Sequence, residues 1–324
     1  MSNPPFLFNF SSSTIREAAA ALKAGNLVAF PTETVYGLGA DARNPVAVKR
    51  VYEVKGRPTN HPLIVHISSI NHLQKWANEI PDYAISLGQR FWPGPMTLIL
   101  KRSDLAGDFI TGGQDSVGIR VPKDPIALEL LRQFELLGGL GIAAPSANRF
   151  GQVSPTSPAD VEEEIGQYLS RGDSILGGGS SEIGIESTIL DCRSDAVRIL
   201  RPGAITAEMV GKIHRIENPY ITSNLRVSGT LEKHYAPLAK ILINQKPIKG
   251  QGFIAMSNIE TPVGVSRLSS PSSTDEFAAE LYRALRKADN MGLDELVIQI
   301  PEGEGLASAI RDRIMRAAAG RGAP

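Results

Sequence analysis

The chain has 324 residues, enough for two domains that each bury a hydrophobic core. Its 34 Lys and Arg residues balance its 34 Asp and Glu residues, which excludes a protein that binds nucleic acid or an anionic membrane through net charge. A single cysteine, Cys192, excludes a disulfide framework and predicts a buried thiol in a reducing compartment. No segment has a signal-peptide or membrane-spanning pattern, so we expect a cytoplasmic protein.

Helix and strand patterns alternate over the first two thirds of the chain. The first helix begins at the capping-box spacing of Thr14 and Glu17 and ends before Gly25. Predicted strands follow at 27–30, 62–67, 96–101, 117–121, 140–144, 185–190 and 197–200. Predicted helices lie at 45–55, 82–91, 125–137 and 158–167. This order predicts an α/β domain with a mixed sheet over residues 1–213.

The pattern lapses between residues 214 and 237, which we interpret as a linker. A second series follows in 238–324, and it predicts a small doubly wound, Rossmann-like α/β domain. Its strands are predicted at 240–243, 252–256 and 296–300, and its helices at 275–288 and 306–319.

Two cations stand just after the predicted helix 45–55, in the order Lys55, Gly56, Arg57. Asn44 is a candidate N-cap and Gly56 a helix stop, so we expect Lys55 and Arg57 at an exposed corner. An arginine fork and a mobile ammonium can bind one anion from two sides. The alternative is a solvated helix end whose cations complement the helix dipole.

Several predicted strands end in polar residues, as they do where an open α/β sheet forms a ligand crevice. Hydroxyls and glycines crowd the segment 31–39 after the first strand. The segment 145–148 follows another strand and contains Ser146 and Asn148.

Common catalytic signatures are missing from the sequence. It contains neither a P-loop nor a serine-hydrolase elbow. Residues 37–42 fit a dinucleotide fingerprint, but six residues separate them from the preceding strand, which disfavours that interpretation. His61, His66 and His72 fall in different elements and do not predict a metal site; His66 is either a strand-end imidazole or a contact to a small ligand.

Eight segments taken in chain order are similar to the YrdC-type threonylcarbamoyl-AMP synthases in their long two-domain form. They are Pro31–Gly39, Lys55–Pro58 with Pro62–His66, Phe91–Leu98, Val117–Pro122, Ala144–Asn148, Glu186–Ile189, Arg201–Gly203 and His234–Pro237. The resemblance extends to 301–306 and so spans nearly the whole chain.

This resemblance implies a twisted mixed sheet with a concave substrate cavity. The implied enzyme is a nucleotidyltransferase that makes L-threonylcarbamoyladenylate from L-threonine, bicarbonate and ATP, with magnesium accompanying the ATP. The product would pass to a separate threonylcarbamoyl transferase that modifies tRNA, so tRNA itself is involved only indirectly. A monomer is compatible with this interpretation.

The resemblance also implies a set of site residues. Lys55 and Arg57 carry the catalytic role. The ATP-binding set is Lys55, Arg57, His61, Ser116, Ser146, Asn148, Ser154, Arg201, His234 and Tyr235. The L-threonine set is Thr34, His66, Arg120, Ala144 and Ser187, with Arg120 as the fork for the carboxylate. No metal ligand from a protein side chain is implied.

The chain departs from the family pattern at two places. His61 stands where many relatives carry Asn, and Glu232 stands where the family has a Tyr in the linker. We expect His234 and Tyr235 to form part of a lid loop within 214–237. Two alternatives to catalysis stay open at this point, namely a double-stranded RNA-binding protein and a regulatory protein that binds threonine or nucleotide without turnover.

Overall fold

The computed structural model describes residues 7–8, 12–217, 225–227, 229 and 235–320. These residues form a mixed sheet of ten strands and a parallel sheet of four. Helices pack against both sheets, and the predicted fold class is confirmed.

Within the described residues, the strands are β1 (Leu7–Phe8), β2 (Val28–Phe30), β3 (Gly37–Asp41), β4 (Ile64–His66), β5 (Met96–Lys101), β6 (Ser116–Arg120), β7 (Ile142–Ala143), β8 (Ser174–Leu176), β9 (Thr188–Asp191), β10 (Arg198–Arg201), β11 (Lys240–Ile243), β12 (Gly252–Ile254), β13 (Ser266–Ser269) and β14 (Glu295–Ile298). The helices are α1 (Ser12–Lys23), α2 (Pro45–Lys55), α3 (Leu73–Trp76), α4 (Asp82–Phe91), α5 (Asp108–Thr111), α6 (Pro125–Leu136), α7 (Pro158–Ile165), α8 (Ala207–Gly211), α9 (Thr274–Asn290) and α10 (Leu306–Ala318). In this part of the chain no helix is both long and apolar enough to cross a membrane.

Helix α2 shows how local sequence sets an element that positions the site. The side chain of Asn44 accepts hydrogen bonds from the backbone N–H groups of Val46 and Ala47, and Pro45 occupies the first helical position. At the other end Gly56 adopts the left-handed conformation (φ 61°) and its N–H bonds to the last turn. The predicted limits of this helix are confirmed.

The ten-stranded sheet has the order β1-β8-β2-β3-β7-β4-β6-β5-β9-β10. Strands β4 and β6 are parallel, and their last residues, His66 and Arg120, are register partners. Strand β7 runs antiparallel to β4, so the chain leaves β7 at Ala144, whose N–H donates to the carbonyl of Ile64 (2.9 Å). The mixed strand directions therefore bring polar residues from several strand ends to one place.

Strand β3 is an element that the sequence reasoning missed. Its glycines gave it the appearance of a connection, yet Gly37–Asp41 pairs with β2 and β7 and is fully buried. The glycine at position 39 has a packing reason. A Cβ there would lie 2.6 Å from Ile142 Cγ2 and 2.8 Å from Phe30 Cε1, closer than carbon atoms can approach.

The four-stranded sheet has the order β11-β14-β12-β13, with all neighbours parallel. Ile254, Leu296 and Ile298 of this sheet share one hydrophobic cluster with Leu281 of α9 and Ile310 of α10. Strand β13 was not predicted, because Ser266–Ser269 is mostly polar. The domain limits that the sequence predicts near 213 and 238 stay a prediction.

We predict that Gly39→Ala destabilises the fold by about 1–3 kcal/mol, because the added methyl overpacks the β2–β3–β7 interface. Gly211→Ala is the matched control. Its Cβ would meet only Ile216, at 3.7 Å, and a helical Gly→Ala change stabilises by about 0.5–1 kcal/mol. Urea unfolding of both variants measures the difference. Equal midpoints for the two variants would show that the packing argument is wrong.

Candidate active site

A cavity that is partly open to solvent lies where the strand ends of the large sheet converge. Nine of the residues proposed from the sequence line it, namely Thr34, Arg57, His66, Arg120, Ala144, Ser146, Ser187, Arg201 and Tyr235. Eight further lining residues were not proposed as site residues, namely Thr32, Val35, Tyr36, Gly37, Ile64, Pro145, Glu186 and Gly229.

One end of the cavity is built around the guanidinium group of Arg120, at the end of β6. Its Nη1 donates to Thr34 Oγ1 (2.9 Å) and its Nη2 donates to Glu33 Oε1 (2.7 Å). The other oxygen of Glu33 accepts from the backbone N–H of Lys123 (3.0 Å). Arg120 Nε is buried and has no hydrogen-bond partner among the described residues. The Arg120 guanidinium group is therefore held in one orientation, and its remaining N–H groups can still donate hydrogen bonds to a ligand.

His66 lies beside Arg120, is 4% exposed and lines the same cavity. Burial first, and then the positive charge of Arg120, lowers the pKa of His66 to about 3. The imidazole is therefore neutral near pH 7. Its buried Nδ1 has no partner within the described part of the chain. A neutral ring with an available nitrogen fits a polar contact to a ligand better than a metal cluster.

The prediction that Lys55 and Arg57 stand at an exposed corner is wrong, because their relative exposures are 1% and 7%. The loop after β7 folds back over the end of α2, where the backbone N–H of Phe150 donates to the Lys55 carbonyl (2.8 Å). Burial first, and then the charge of Arg57, holds the pKa of Lys55 well below its ordinary value. Local sequence could not show this, because the covering loop lies far along the chain.

Lys55 and Arg57 make different contacts around the cavity. The ammonium of Lys55 donates to the carbonyl oxygens of Ser146 (2.6 Å) and Asn148, and so it holds the loop whose Ser146 lines the cavity. Arg57 lines the cavity itself, and its Nη2 donates to the carbonyl of Pro62 (3.0 Å). The Asn148 amide donates within its own loop, to the carbonyl of Gln152 (2.8 Å).

Ser187 and Arg201 form a second polar group in the wall. Arg201 Nε donates to the carbonyl of Ser187 (3.0 Å), and its Nη2 lies 3.2 Å from Ser187 Oγ. The same hydroxyl is 2.8 Å from Thr97 Oγ1. Burial lowers the pKa of Arg57 to about 10 although the nearby hydroxyls of Tyr52 and Tyr235 oppose this shift, and the positive charge of Arg201 adds to the lowering. The two guanidinium groups are therefore close enough to affect one another.

Glu186 is a buried carboxylate in this wall that the sequence reasoning missed. Its Oε1 accepts from Ser154 Oγ (2.7 Å), which places Ser154 behind Glu186 and away from the lining. Its Oε2 accepts from Tyr282 Oη and from Arg313 Nε, both at 2.8 Å. Burial alone would raise the pKa of Glu186, but Arg313 and Arg201 outweigh burial and lower it to about 2.

Part of the predicted lid loop is described and lies against the cavity. Tyr235 is 1% exposed and has φ of 62°, a conformation that residues other than glycine rarely adopt. Gly229 lies so close that a Cβ on it would be 2.2 Å from Tyr235 Oη and 2.7 Å from Arg201 Nη1. Movement of this loop stays a prediction, and His234 lies outside the described residues.

Besides Lys55, Asn148 and Ser154, two further proposed ATP contacts do not line the main cavity. His61 packs edge-on against Phe150, with ring centroids 5.4 Å apart. Ser116 lines a smaller neighbouring cavity together with Arg226 and Val227 of the linker. Both assignments stay predictions.

The arrangement suits a ligand with several anionic groups, because buried Arg57, Arg120 and Arg201 all face one cavity. Among the described residues, no three His, Cys, Asp or Glu side chains are grouped so that they could hold a metal. The only lining carboxylate of that part of the chain, Glu186, is already engaged by three donors.

Comparison with known proteins agrees with this fold. The Sua5, YciO and YrdC family model, described as telomere recombination, matches residues 20–203. A second model, described as threonylcarbamoyl-AMP synthase, C-terminal domain, matches residues 205–319. The chain therefore belongs to the threonylcarbamoyl-AMP synthase family.

Individual relatives match over nearly their whole length. The threonylcarbamoyl-AMP synthase of Pyrococcus abyssi is 39% identical over 94% of this chain and 93% of its own. That of Bacillus subtilis is 39% identical over 95% and 93%. The crystal structure of P. abyssi Sua5 complexed with L-threonine has a TM-score of 0.87 and 36% identity, and it covers 97% of both chains.

Two carboxylates, Glu33 and Glu186, carry much of the geometry and were not proposed as site residues. Each lies inside a segment that the sequence reasoning did single out, Pro31–Gly39 and Glu186–Ile189. The available signal was an acidic residue within an otherwise apolar or hydroxyl-rich buried run, where a charge needs a partner.

We predict that the imidazole of His66 stays neutral from pH 5 to 8. The unfolded chain binds a proton here with a pKa of about 6.5, whereas the folded chain does so only near pH 3. Its contribution to stability is therefore complete above about pH 6.5 and is lost as the pH falls towards 3. Histidine ¹H–¹⁵N NMR tests this, with His66→Gln assigning the resonance and the urea-unfolded chain as the titrating control. Titration of the native resonance near pH 6.5 would contradict the buried geometry.

Proposed function

We propose that this protein synthesises L-threonylcarbamoyladenylate from L-threonine, bicarbonate and ATP, with release of pyrophosphate and water. The observation that carries this proposal is the placement of the buried residues Arg57, Arg120 and Arg201 around one cavity in a chain that matches a family member over 93% of that relative's length. P. abyssi Sua5, the relative with the same architecture, has been crystallised with L-threonine, and we extend threonine binding to this chain.

The proposed reaction places clear demands on the site. The threonine amine attacks the carbon of bicarbonate, and loss of water leaves a carbamate. A carbamate oxygen then attacks the α-phosphorus of ATP, while the bond to the pyrophosphate oxygen breaks. The protein must hold the reacting groups in line and stabilise charge on phosphate oxygens. Magnesium enters as part of the ATP substrate.

We assign the threonine end of the cavity to the Arg120 corner. Glu33 and Thr34 fix the guanidinium, whose remaining N–H groups can bind the amino-acid carboxylate as a fork. His66 next to it is neutral, so it contributes a polar contact and adds no second positive charge. Ala144 and Ser187 complete the proposed set.

We assign the phosphate end to Arg57 and Arg201, with Ser146 and Tyr235 beside them. Lys55 supports this end by holding the carbonyls of the 146–148 loop. The remaining proposed ATP contacts, namely His61, Ser116, Asn148, Ser154 and His234, are retained as proposals.

Double-stranded RNA binding is not favoured as the main role. Arg57, Arg120 and Arg201 are 7%, 4% and 3% exposed. Cations this deeply buried can contact a small ligand in the cavity, whereas duplex phosphates require an exposed basic surface. We propose that the product passes to a transferase that modifies tRNA in the cytoplasm.

We predict that pyrophosphate is released only when L-threonine, bicarbonate and ATP are all present, because the nucleophile forms only after the amine and bicarbonate combine. The measurement is a coupled pyrophosphate assay in carbon-dioxide-depleted buffer, with each substrate omitted in turn. Release without threonine would refute the proposed reaction. Binding of threonine and ATP without any release would favour a regulatory protein.

We predict that Arg57→Ala lowers kcat/KM for ATP by about 100-fold and that Arg57→Lys restores it only in part, because Lys keeps the charge and loses the fork. The Pro62 carbonyl also loses its donor, which costs about 1–3 kcal/mol of stability. Kinetic assays under conditions where every variant stays folded separate the loss of kcat/KM from the loss of stability.

Arg193→Ala is the control for the Arg57 variants, since Arg193 pairs with Asp191 away from the cavity. It should keep its wild-type kcat/KM. Wild-type kinetics in Arg57→Ala would remove Arg57 from the proposed phosphate end.

A further inference from the structure

Two side chains of the C-terminal α/β region reach the wall of the cavity. Arg313 of α10 and Tyr282 of α9 both donate to Oε2 of Glu186, each at 2.8 Å. Glu186 lines the cavity, and the residues that bond to it lie 127 and 96 positions further along the chain. The second sheet domain is thus connected directly to the candidate active site.

Arg313 holds the wall at a second point. Its Nη2 donates to the carbonyl of Pro202 (3.0 Å), while its Nε donates to Glu186. Glu186 precedes Ser187 and Pro202 follows Arg201, and Arg201 itself donates to Ser187. One guanidinium group therefore fixes both chain segments that carry the Ser187–Arg201 pair.

The same two side chains also support Tyr235 of the linker. The rings of Tyr235 and Tyr282 stack with centroids 5.5 Å apart and an interplanar angle of 25°. The Arg313 guanidinium carbon lies 5.6 Å from the centroid of the Tyr235 ring, within cation–π range. Glu186, Arg201 and Tyr235 thus all depend on α9 and α10 for their positions.

The charge arrangement indicates why this connection matters for anionic ligands. A carboxylate in the wall of an anion-binding cavity would repel phosphate unless it were compensated. Glu186 is compensated by Arg313, which is 0% exposed, and both of its oxygens are filled by donors. A buried ion pair adds little stability over a well-packed apolar pair, so positioning is the better explanation for it.

We propose that Arg313 and Tyr282 are positioning residues for the phosphate end of the site, acting through Glu186 and Pro202 on Arg201 and Tyr235. This inference rests on the proposed function, and it gives the C-terminal region a role in catalysis. Loss of Arg313 leaves the charge of Glu186 uncompensated beside the cavity and releases the segment that aims Arg201. Loss of the Tyr282 hydroxyl removes one of the two donors to Glu186 Oε2. ATP use then suffers more than threonine binding, because the Arg120 corner contacts neither residue.

The experiment compares Arg313→Gln and Tyr282→Phe with Arg286→Gln. Arg286 is a matched control: it is also buried, lies on α9, and joins the same two regions through Glu164 (2.8 Å) and the Val153 carbonyl. Steady-state kinetics and calorimetric affinity for ATP and for L-threonine are measured below the unfolding range of every variant.

We expect kcat/KM for ATP to fall about 100-fold in Arg313→Gln and threefold to tenfold in Tyr282→Phe, which removes one hydroxyl and keeps the stacked ring. The dissociation constant for threonine should rise no more than about threefold, because Ser187 lies in the disturbed wall whereas the Arg120 corner does not. Arg286→Gln should lose stability yet keep kcat/KM within twofold. Tyr282→Phe keeps the test decisive if Arg313→Gln does not fold.

A purely structural role predicts a different pattern. Arg313→Gln and Arg286→Gln would then lose activity only in proportion to their unfolded fraction, and Tyr282→Phe would have wild-type kinetics; this result overturns the inference while the proposed function stands. If the wild-type protein releases no pyrophosphate, the proposed function fails, and calorimetry decides the inference. For the inference to hold, ATP affinity must then fall about tenfold in Arg313→Gln but not in Arg286→Gln. A wild-type protein that does not bind ATP would overturn the inference.

Discussion

Buried guanidinium groups impose the main constraint on this structure, because arginine stays charged in proteins and a buried charge requires hydrogen-bonded partners. Arg120 is held by Glu33 and Thr34, Arg201 by Ser187, and Arg313 by Glu186 and the Pro202 carbonyl. Glu186, Ser187 and Pro202 lie within two residues of a strand end, and Glu33 and Thr34 lie in the short connection between β2 and β3. The strand order of the large sheet therefore decides where the charges point, and the cavity follows from it.

The two buried carboxylates have different neighbours and hence different consequences. Glu33 pairs with Arg120 of β6, whose register partner is His66, so the Arg120 corner of the threonine end is built within one domain. Glu186 pairs with an arginine of α10, so the wall around Ser187 and Arg201 is built by two regions of the chain. The phosphate end is therefore the part of the site that should respond to the position of the C-terminal region.

Sequence reasoning succeeded where the signals are local. The cap Asn44, Pro45 and Gly56 define α2 without help from the rest of the fold, and the apolar strands were located by their composition. It failed where a segment that is distant in sequence determines the surroundings of a residue. Lys55 was expected in solvent, but the loop near Phe150 covers it, and β3 was missed because Gly39 serves packing against Ile142 rather than a turn. Family resemblance supplied most of the proposed site, since Arg120 alone suggests no threonine.

Glu186 shows why an acidic residue in an anion site is hard to predict from its own segment. Its charge is acceptable only because Arg313 and Tyr282 arrive from helices that are far away in sequence. A protein of this fold without α9 and α10 would leave Oε2 of such a glutamate without these donors, facing the phosphate end of the cavity. Such a protein must carry an uncharged residue at this position or compensate the carboxylate from another element. The identity of this one residue should therefore depend on the presence of the second domain, although the residue itself belongs to the first.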